Sequence, residues 1–334
     1  MKAVVLYGPK NVAVGDLPLA ELKAGEVRVK IAYCGICGSD HHKVEGKKNT
    51  RKVTYPVALG HEISGVVDTV GDGVTEFKAG DRVTVDPNWG CGKCEFCKDG
   101  KKSFCKNSRG VVKGMAEYIN APVENVYHIP DRLSLRDAAL AEPLACCLRG
   151  ADLLGVRHGE RVALVGLGAI GTIMIQLIKS AGAGEIIVVE YDESKEPLAK
   201  ALGADVFICS KDEEKIADYA AKYNVDKVIE CVGNTSAQLS ALSIAGRGAT
   251  VVMFGVADSA KTTPISLYDA FIKELTIKTS YVNPYTTERA ARVLAAGLID
   301  TEKVIYRELT MEEAADEFMN PTLSRFGKLL VKID

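Results

Sequence analysis

The segment RVALVGLGAIGTIMIQLIKSAGAGEIIVVE, residues 161–190, decides the fold of the second half of the chain. Gly166, Gly168 and Gly171 form a G-x-G-x-x-G pattern directly after an apolar strand. Apolar residues then recur at helical spacing on one face, and a second apolar strand ends at Glu190. A strand, a glycine turn, a helix and a second strand in this order predict the first βαβ unit of a parallel sheet.

The glycine turn predicts a dinucleotide site. Glycines let the backbone turn tightly and approach a pyrophosphate, whose charge is stabilised by the N-terminus of the following helix. A lone glycine pattern would be weak evidence, but here the strand and the helix stand on either side of it. The predicted cofactor-binding residues of the turn are Gly166, Gly168, Ala169, Ile170 and Gly171.

Glu190 indicates which dinucleotide binds. It follows the last glycine by about 20 residues, where an acidic side chain can accept hydrogen bonds from both hydroxyls of the ribose. Because a carboxylate repels a 2'-phosphate, Glu190 favours NAD over NADP. Lys195 lies nearby in sequence and would weaken that rejection. The sequence therefore predicts NAD as the cofactor.

The character of the sequence changes near residue 150. Before it, short β-rich runs separated by Gly, Asp and Pro predict a compact antiparallel or barrel-like module. After it, apolar strands alternate with helical stretches, which predicts a doubly wound parallel sheet. The alternation stops near residue 285, and the tail is expected to return to the first domain. The predicted domains are residues 1–148 with 285–334, and residues 149–284.

Composition excludes several classes of partner. With 334 residues, 47% hydrophobic and 26% charged, the chain is expected to form about two globular domains. A formal net charge of −2 provides no basic field for nucleic acid or an anionic membrane. No apolar run approaches the ~20 residues of a membrane span, and the N-terminus is typical of a strand rather than of a signal peptide. We expect a cytoplasmic protein that acts on small molecules.

The segment CGKCEFCKDGKKSFC, residues 91–105, predicts a structural zinc site. Four thiolates can close a tetrahedral zinc site and leave no open position. An iron–sulfur cluster is the alternative, but the final gap is longer than in the bacterial ferredoxin run and no second cysteine set accompanies it. With no export signal, the ten cysteines of the chain favour metal ligation over disulfides. The predicted ligands are Cys91, Cys94, Cys97 and Cys105.

A second candidate metal site is dispersed along the sequence. Cys37 in CGICGSDHH, with His61 and Glu62 in GHEISG, mixes soft and hard ligands suited to a zinc ion that keeps exchangeable positions. Glu142, in LAEPLACC, would complete the shell. Cys37 also forms a C-x-x-C pair with Cys34, which leaves a redox dithiol as an alternative. Taken singly, each of these residues also has a purely structural interpretation.

Together these motifs resemble those of the zinc-dependent medium-chain alcohol dehydrogenases. CGICGSDHH, GHEISGVV, GDRV, the four-cysteine segment, AEPLACCLRG and VALVGLGAIG occur in that family's order over essentially the whole chain. The resemblance implies an α/β protein with a β-rich GroES-like catalytic domain and a Rossmann domain that binds NAD. A glutamate in the EPL run, where simple alcohol dehydrogenases carry a cysteine ligand, resembles the sorbitol (polyol) dehydrogenase branch. Threonine dehydrogenases share this feature.

The resemblance also implies residue roles. Cys37 and His61 would bind the catalytic zinc, joined by Glu62 or Glu142, because members of the family differ over which glutamate binds directly.

The proton path is implied in the same way. Ser39 would pass the substrate proton toward the cofactor ribose and His42 would pass it to solvent, so that Ser39, His42 and Glu62 are the predicted catalytic residues. Asp40 would steady the first of the histidines as an outer hydrogen-bond acceptor. Cys34 then has no metal role.

The predicted reaction is the NAD-linked, zinc-dependent and reversible oxidation of a secondary hydroxyl of a polyol or sugar alcohol to a ketone. Oxygen-rich metal ligands suit a substrate that chelates through two oxygens. Threonine, a phosphorylated polyol, a bulky secondary alcohol such as a steroid, and a non-catalytic binding protein on the same fold are the alternatives. The lysine-rich residues 43–52 form either a solvated loop, which we favour, or a contact for an anionic substrate.

The resemblance further implies a homo-oligomer, either a dimer or a tetramer. Family members usually associate through sheet edges of the cofactor domain. The runs ATVVMFGV and LTIKTSY, residues 249–256 and 275–281, are apolar enough to provide such an edge.

Overall fold

The computed structural model describes residues 1–47, 53–110 and 113–333. Contacts between residues divide the chain into two units. The first comprises Met1–Ala145, Asn283–Gly297 and Thr301–Asp334, and the second comprises Cys146–Val282 and Leu298–Asp300. Among the described residues, we find no helix with the length and apolar character that a membrane span requires.

The first unit is rich in β-strands. Its N-terminal part contains β1 (Lys2–Gly8), β2 (Asn11–Asp16), β3 (Glu26–Gly35), β4 (Val57–Ala58), β5 (Glu62–Val70), β6 (Arg82–Val85), β7 (Asn88–Trp89), β8 (Arg109–Gly110), β9 (Tyr118–Pro122) and β10 (Val126–His128). The helices of this part are α1 (Gly38–Val44), α2 (Glu95–Lys98), α3 (Leu135–Ala138) and α4 (Ala141–Leu154), the last of which continues into the second unit.

Strand β3 forms the centre of the first unit because its side chains alternate. Val27, Val29 and Ile31 are buried, while Arg28 and Lys30 between them are not. This period of two is the pattern of a strand with one face in the core. β3 pairs with β5 and β9, and the pairing with β5 is antiparallel. The end of β3 therefore lies beside the beginning of β5.

The second unit is a parallel sheet with helices between its strands. The strands are β11 (Arg161–Val165), β12 (Glu185–Glu190), β13 (Val206–Cys209), β14 (Lys227–Glu230), β15 (Thr250–Met253) and β16 (Thr276–Thr279), and the helices are α5 (Ala169–Ser180), α6 (Glu196–Leu202), α7 (Glu213–Lys222), α8 (Thr235–Ile244) and α9 (Leu267–Lys273). The spatial order is β13-β12-β11-β14-β15-β16, and every neighbouring pair is parallel. The central strands β11 and β12 are buried from their second residue onward rather than alternating, as expected for a parallel sheet covered on both faces.

The remaining elements return to the first unit. They are α10 (Thr287–Ala295), α11 (Thr301–Val304), β17 (Ile305–Leu309), α12 (Met311–Met319) and β18 (Lys328–Lys332). β18 pairs antiparallel with β3, so that one sheet runs in the order β10-β6-β5-β3-β18-β17. A β-rich unit and a parallel α/β unit in one chain confirm the predicted fold class.

Candidate functional site

The pairing of β3 with β5 brings three candidate metal ligands together. Gly35 at the end of β3 lies opposite Glu62 at the beginning of β5. Cys37, two residues beyond β3, therefore lies near His61 and Glu62. One ligand atom from each of these three residues lies within 4.8 Å of the others. A thiolate, an imidazole and a carboxylate at such separations can bind one zinc ion.

Unsatisfied atoms at this site fit a bound cation. Glu62 Oε1 accepts a hydrogen bond of 2.7 Å from Lys328 Nζ, but Glu62 Oε2 is buried with no partner. Gly35 makes room for that oxygen, because a Cβ at this position would overlap it. Buried carboxylate oxygens are normally paired, and one without a partner is costly. The residues present therefore fit a zinc ion.

Asp40 lies behind the candidate ligand His61. Its carboxylate is fully buried, with Oδ2 3.4 Å from His61 Nδ1 and with Oδ1 accepting hydrogen bonds from Lys43 Nζ (2.9 Å) and Gly60 N (3.3 Å). Burial alone would raise the pKa of Asp40, but His61 and Lys43 outweigh it and hold that pKa well below its ordinary value. An ionised carboxylate behind a ligand imidazole fixes the orientation of the ring.

Glu142 lies in the first turn of α4 and is buried. Burial raises the pKa of Glu142 to about 7; His61 opposes this shift, and Glu62 adds to it. Glu142 therefore lies within the electrostatic range of both candidate ligands. A carboxyl group that exchanges its proton near neutral pH can accept a cation without a large penalty for deprotonation.

Lys328, which no motif of the sequence indicated, connects the two segments that carry the ligands. Its ammonium group is buried and donates hydrogen bonds to Glu62 Oε1 and to the carbonyl oxygen of Ile36, at 2.7 and 3.0 Å. Ile36 precedes Cys37, and Glu62 follows His61. Burial would lower the pKa of Lys328, but Glu62 raises it above the ordinary value. One lysine of β18 thus ties the end of β3 to the beginning of β5.

Helix α1 follows directly after Cys37 and carries the predicted proton path. Ser39 is exposed, and His42 is half-buried one helical turn further on, so that the two residues share a face of the helix. The ring of His41 packs against the ring of Phe318, with 5.0 Å between the centroids. His41 therefore packs against the buried Phe318.

The lysine-rich segment is only partly described. Lys43 pairs with Asp40, while residues 48–52 lie outside the described part of the chain. A contact of those residues with an anionic substrate therefore stays a prediction.

The four cysteines of the segment 91–105 form a second cluster. One ligand atom from each of Cys91, Cys94, Cys97 and Cys105 lies within 4.8 Å of the other three. Cys105 Sγ also accepts hydrogen bonds from the backbone N–H groups of Cys91 and Asn107, at 3.3 and 3.4 Å. Backbone donors around thiolates are the usual surroundings of a metal–thiolate centre. The cluster fits a closed zinc site.

The glycine turn of the second unit joins β11 to α5. Gly166 has a φ of +92°, which favours glycine, and a Cβ at Gly171 would overlap the carbonyl oxygen of Gly166. A Cβ at Gly168 would meet no atom within 4 Å, so that the turn presents open space in front of the N-terminus of α5. The twelve residues of α5 provide backbone N–H groups and a dipole for an anionic group at that position.

Glu190 lies at the end of β12 and has contacts that the sequence did not indicate. Its Oε2 accepts a hydrogen bond of 2.5 Å from the backbone N–H of Leu167 in the glycine turn. Its Oε1 accepts hydrogen bonds from the backbone N–H groups of Tyr191 (2.8 Å) and Asp192 (3.0 Å), and Lys195 Nζ lies 3.8 Å from Oε2. Glu190 thus fastens the glycine turn to the adjacent strand. Its contact with a ribose stays a prediction.

Two family models match parts of the chain, and several known proteins are similar to it. The family model "Alcohol dehydrogenase GroES-like domain" matches residues 23–131, and the model "Zinc-binding dehydrogenase" matches residues 169–296. The chain is 30% identical to a sorbitol dehydrogenase of Bacillus subtilis, over 95% of this chain and 92% of that one. It is 32% identical to a D-arabitol-phosphate dehydrogenase of Enterococcus avium, over 95% of this chain and 93% of that one.

A solved structure is similar over nearly the whole length. It is that of a protein of Sinorhizobium meliloti 1021, assigned as a zinc-binding dehydrogenase and bound to NADP. The TM-score is 0.91 at 33% sequence identity, and the match covers 99% of each chain.

Proposed function

We propose that this chain, which belongs to the zinc-binding alcohol dehydrogenase family, oxidises a secondary hydroxyl of a polyol or sugar alcohol to a ketone with NAD as the hydride acceptor. One observation carries the proposal. Cys37, His61 and Glu62 converge within 4.8 Å, and the buried Glu62 Oε2 has no partner. Residues arranged in this way bind a metal that has open coordination positions, which is the catalytic rather than the structural type.

The metal ligands follow from the same residues. Cys37 and His61 would hold the zinc ion, and Glu62 Oε2 and Glu142 are the two available carboxylate donors. When bound, zinc supplies Lewis-acid chemistry at the substrate oxygen. Because Lys328 holds Glu62 Oε1, Glu62 has a single oxygen to offer the metal. Asp40 keeps the imidazole of His61 in one orientation throughout.

The proton of the substrate hydroxyl leaves through α1 in this proposal. Ser39 lies two residues after the ligand Cys37 and exposes its hydroxyl, which can accept this proton while donating its own. His42 lies one turn further along the same helix face and delivers the proton to solvent. A histidine suits this role because its ordinary pKa lies near neutrality.

The cofactor binds at the glycine turn, where the N-terminus of α5 receives the pyrophosphate. Glu190 would accept hydrogen bonds from the ribose, which favours NAD. Since three backbone N–H groups and Lys195 already surround this carboxylate, we expect the rejection of NADP to be incomplete. The relative from Sinorhizobium meliloti that binds NADP supports the same expectation.

Relatives named for sorbitol and for D-arabitol phosphate support a polyol as the substrate class. The second of these names favours one further candidate, a phosphorylated polyol. The lysine-rich residues 43–52 would then provide a contact for the phosphate group. No observation on this chain favours threonine, a steroid or a purely binding role.

We also propose that the chain forms a homo-oligomer through the edge of its parallel sheet. β16 is the last strand in the sheet order, and an edge strand leaves backbone groups free for pairing. On the preceding helix α9, Leu267, Tyr268 and Phe271 expose 72–79% of their surface. Exposed apolar side chains beside an open sheet edge are typical of an interface between subunits. A cytoplasmic location fits ten cysteines that form no disulfide in the described part of the chain.

The test is NADH formation by the zinc-loaded protein with a panel of sugar alcohols, their phosphates, threonine and simple secondary alcohols, before and after chelation. We expect chelator-sensitive turnover that is fastest on polyols or polyol phosphates. Cys37→Ser should abolish it, whereas the matched variant Cys34→Ala should retain it. Turnover on threonine alone would contradict the substrate class. Loss of turnover in folded Cys34→Ala would favour the dithiol alternative instead.

A further inference from the structure

The segment 91–105 carries a lysine side chain that is buried in the first unit. Lys102 lies between Cys97 and Cys105 and is only 7% exposed. Its ammonium group lies 2.5 Å from Asp86 Oδ2, and Asp86 is fully buried just after β6. A buried lysine is rare unless it is paired, and removing one partner of a buried pair leaves the other as an uncompensated charge. The pair therefore fastens the segment 91–105, which we call the four-cysteine lobe, to the interior of the first unit.

Asp86 also contacts a second buried residue, Asn283. Asp86 Oδ1 accepts hydrogen bonds from the backbone N–H of Asn88 (2.8 Å) and from Asn283 Nδ2 (3.5 Å). The side chain of Asn88 donates a hydrogen bond of 2.7 Å to Asn283 Oδ1. Asn283 is fully buried and is the first residue after the chain re-enters the first unit. The lobe and the re-entry point thus share one network of buried polar groups.

The backbone at the re-entry point is strained. Tyr285 has a φ of +59°, an uncommon conformation for a bulky residue. Such a conformation persists only where the surrounding structure holds it. Lys102 Nζ lies 4.9 Å from the centroid of the Tyr285 ring, so that the same ammonium group contacts both Asp86 and the strained residue.

The network ends at the helix that carries Glu142. Thr286, which follows the strained residue, donates a hydrogen bond of 2.8 Å from its hydroxyl to the carbonyl oxygen of Ala145. Ala145 lies three residues after Glu142 in α4. A continuous set of contacts therefore connects the four-cysteine lobe to Ala145 of α4, with Asp86, Asn283 and Thr286 buried and the Tyr285 side chain 54% exposed.

We propose that Lys102 is a positioning residue through which the four-cysteine lobe fixes residues 283–287 and the first turn of α4. Lys102 contacts no candidate metal ligand of the Cys37 site and takes no part in proton or hydride transfer. The four-cysteine lobe would then determine the position of Glu142, although none of its atoms takes part in the reaction. The effect on turnover rests on the proposed function, whereas the effect on the local structure does not.

The experiment compares amide hydrogen exchange of residues 283–287 and 141–145 in the full, zinc-loaded chain. In Lys102→Met we expect exchange of these amides to accelerate by about tenfold or more while both zinc ions are retained. Lys102→Arg should stay close to wild type because it keeps the charge. The matched control is Lys101→Met, which removes an exposed lysine of the same lobe whose partner is Asp99. Lys101→Met should leave the amide exchange rates of both segments at their wild-type values.

Two further arms keep the test decisive. If Lys102→Met does not fold, the double variant Asp86→Asn/Lys102→Met removes both charges and should fold, yet it should still show faster exchange at residues 283–287. Exchange at wild-type rates in either variant overturns the proposal, and so does acceleration that accompanies loss of a zinc ion. In turnover, Lys102→Met should lower kcat more than it changes KM. If the wild-type chain oxidises no polyol, the proposed function fails while the exchange result still tests the role of Lys102.

Discussion

The two candidate metal sites of the first unit are built in opposite ways. The four-cysteine site takes all its ligands from residues 91–105, and two of its cysteines, Cys91 and Cys94, are partly exposed. The other, dispersed site draws its candidate ligands from the segments at the end of β3 and the beginning of β5, and two of them, Cys37 and His61, are likewise partly exposed. It depends on Lys328 from the far end of the chain. A site within one short segment depends on local geometry. A dispersed site depends on long-range contacts, so that remote substitutions should affect it more.

The largest expected effect is that of Lys328→Met. The variant leaves Glu62 buried without its cationic partner, which should lower the free energy of unfolding by about 3–5 kcal/mol. Urea denaturation of the zinc-loaded protein measures this change. Lys332→Met, which removes an exposed lysine of the same strand, is the control and should lie close to wild type. A loss of less than about 1 kcal/mol in Lys328→Met would show that the dispersed site does not depend on this contact.

Asp40→Asn should act on the metal itself. The variant removes the negative charge behind His61, and loss of such an outer partner typically weakens metal binding by about 10–100-fold. Competition with a chromophoric chelator would measure the zinc affinity of each site. We expect the zinc affinity of the site that contains Cys37 to fall, and that of the four-cysteine site to stay unchanged. Equal changes at both sites would remove the distinction between them.

The same carboxylate makes the stability of the dispersed site depend on pH. The pKa of Asp40 is lower in the folded chain than in the unfolded chain. The Asp40 carboxylate therefore contributes stability that is complete above about pH 4, near its unfolded pKa, and that is lost as the pH falls through its folded pKa. In the metal-free protein, the difference in unfolding free energy between wild type and Asp40→Asn should therefore shrink below about pH 4. A difference that grows on acidification would reverse the assigned sign.

The smallest expected effect lies on the surface of the four-cysteine lobe. Lys106 pairs with Glu95 at 2.8 Å, but both side chains are 68% exposed. Exposed ion pairs contribute little because water screens them. Lys106→Met should therefore leave the melting temperature and the zinc content unchanged, as calorimetry and metal analysis would show. A clear loss of lobe zinc would mean that this local site also needs its surface charges.

Much of the fold could be predicted from the sequence. The glycine turn with its flanking strand and helix predicted the parallel sheet, and the resemblance to zinc-dependent alcohol dehydrogenases is confirmed by the family models and relatives. The class of enzyme follows from the same membership. Lys328 and Lys102 could not have been identified as buried partners, since no motif assigns either of them a role and lysine is normally a surface residue. The hydrogen bond from the Leu167 N–H to Glu190 could not be predicted either, because it depends on how the end of β12 lies beside the glycine turn.

The sequence by itself determined the features that depend on neighbours along the chain. A glycine where φ is positive, four cysteines in fifteen positions and the period of a strand each express the geometry of a short segment. Only the tertiary structure decided which residues neutralise three of the buried carboxylates: Lys328 for Glu62, Lys102 for Asp86, and Lys43 with His61 for Asp40. A buried charge requires a partner, but any residue that the fold brings within about 3–4 Å can provide it, and no spacing along the chain records which one does.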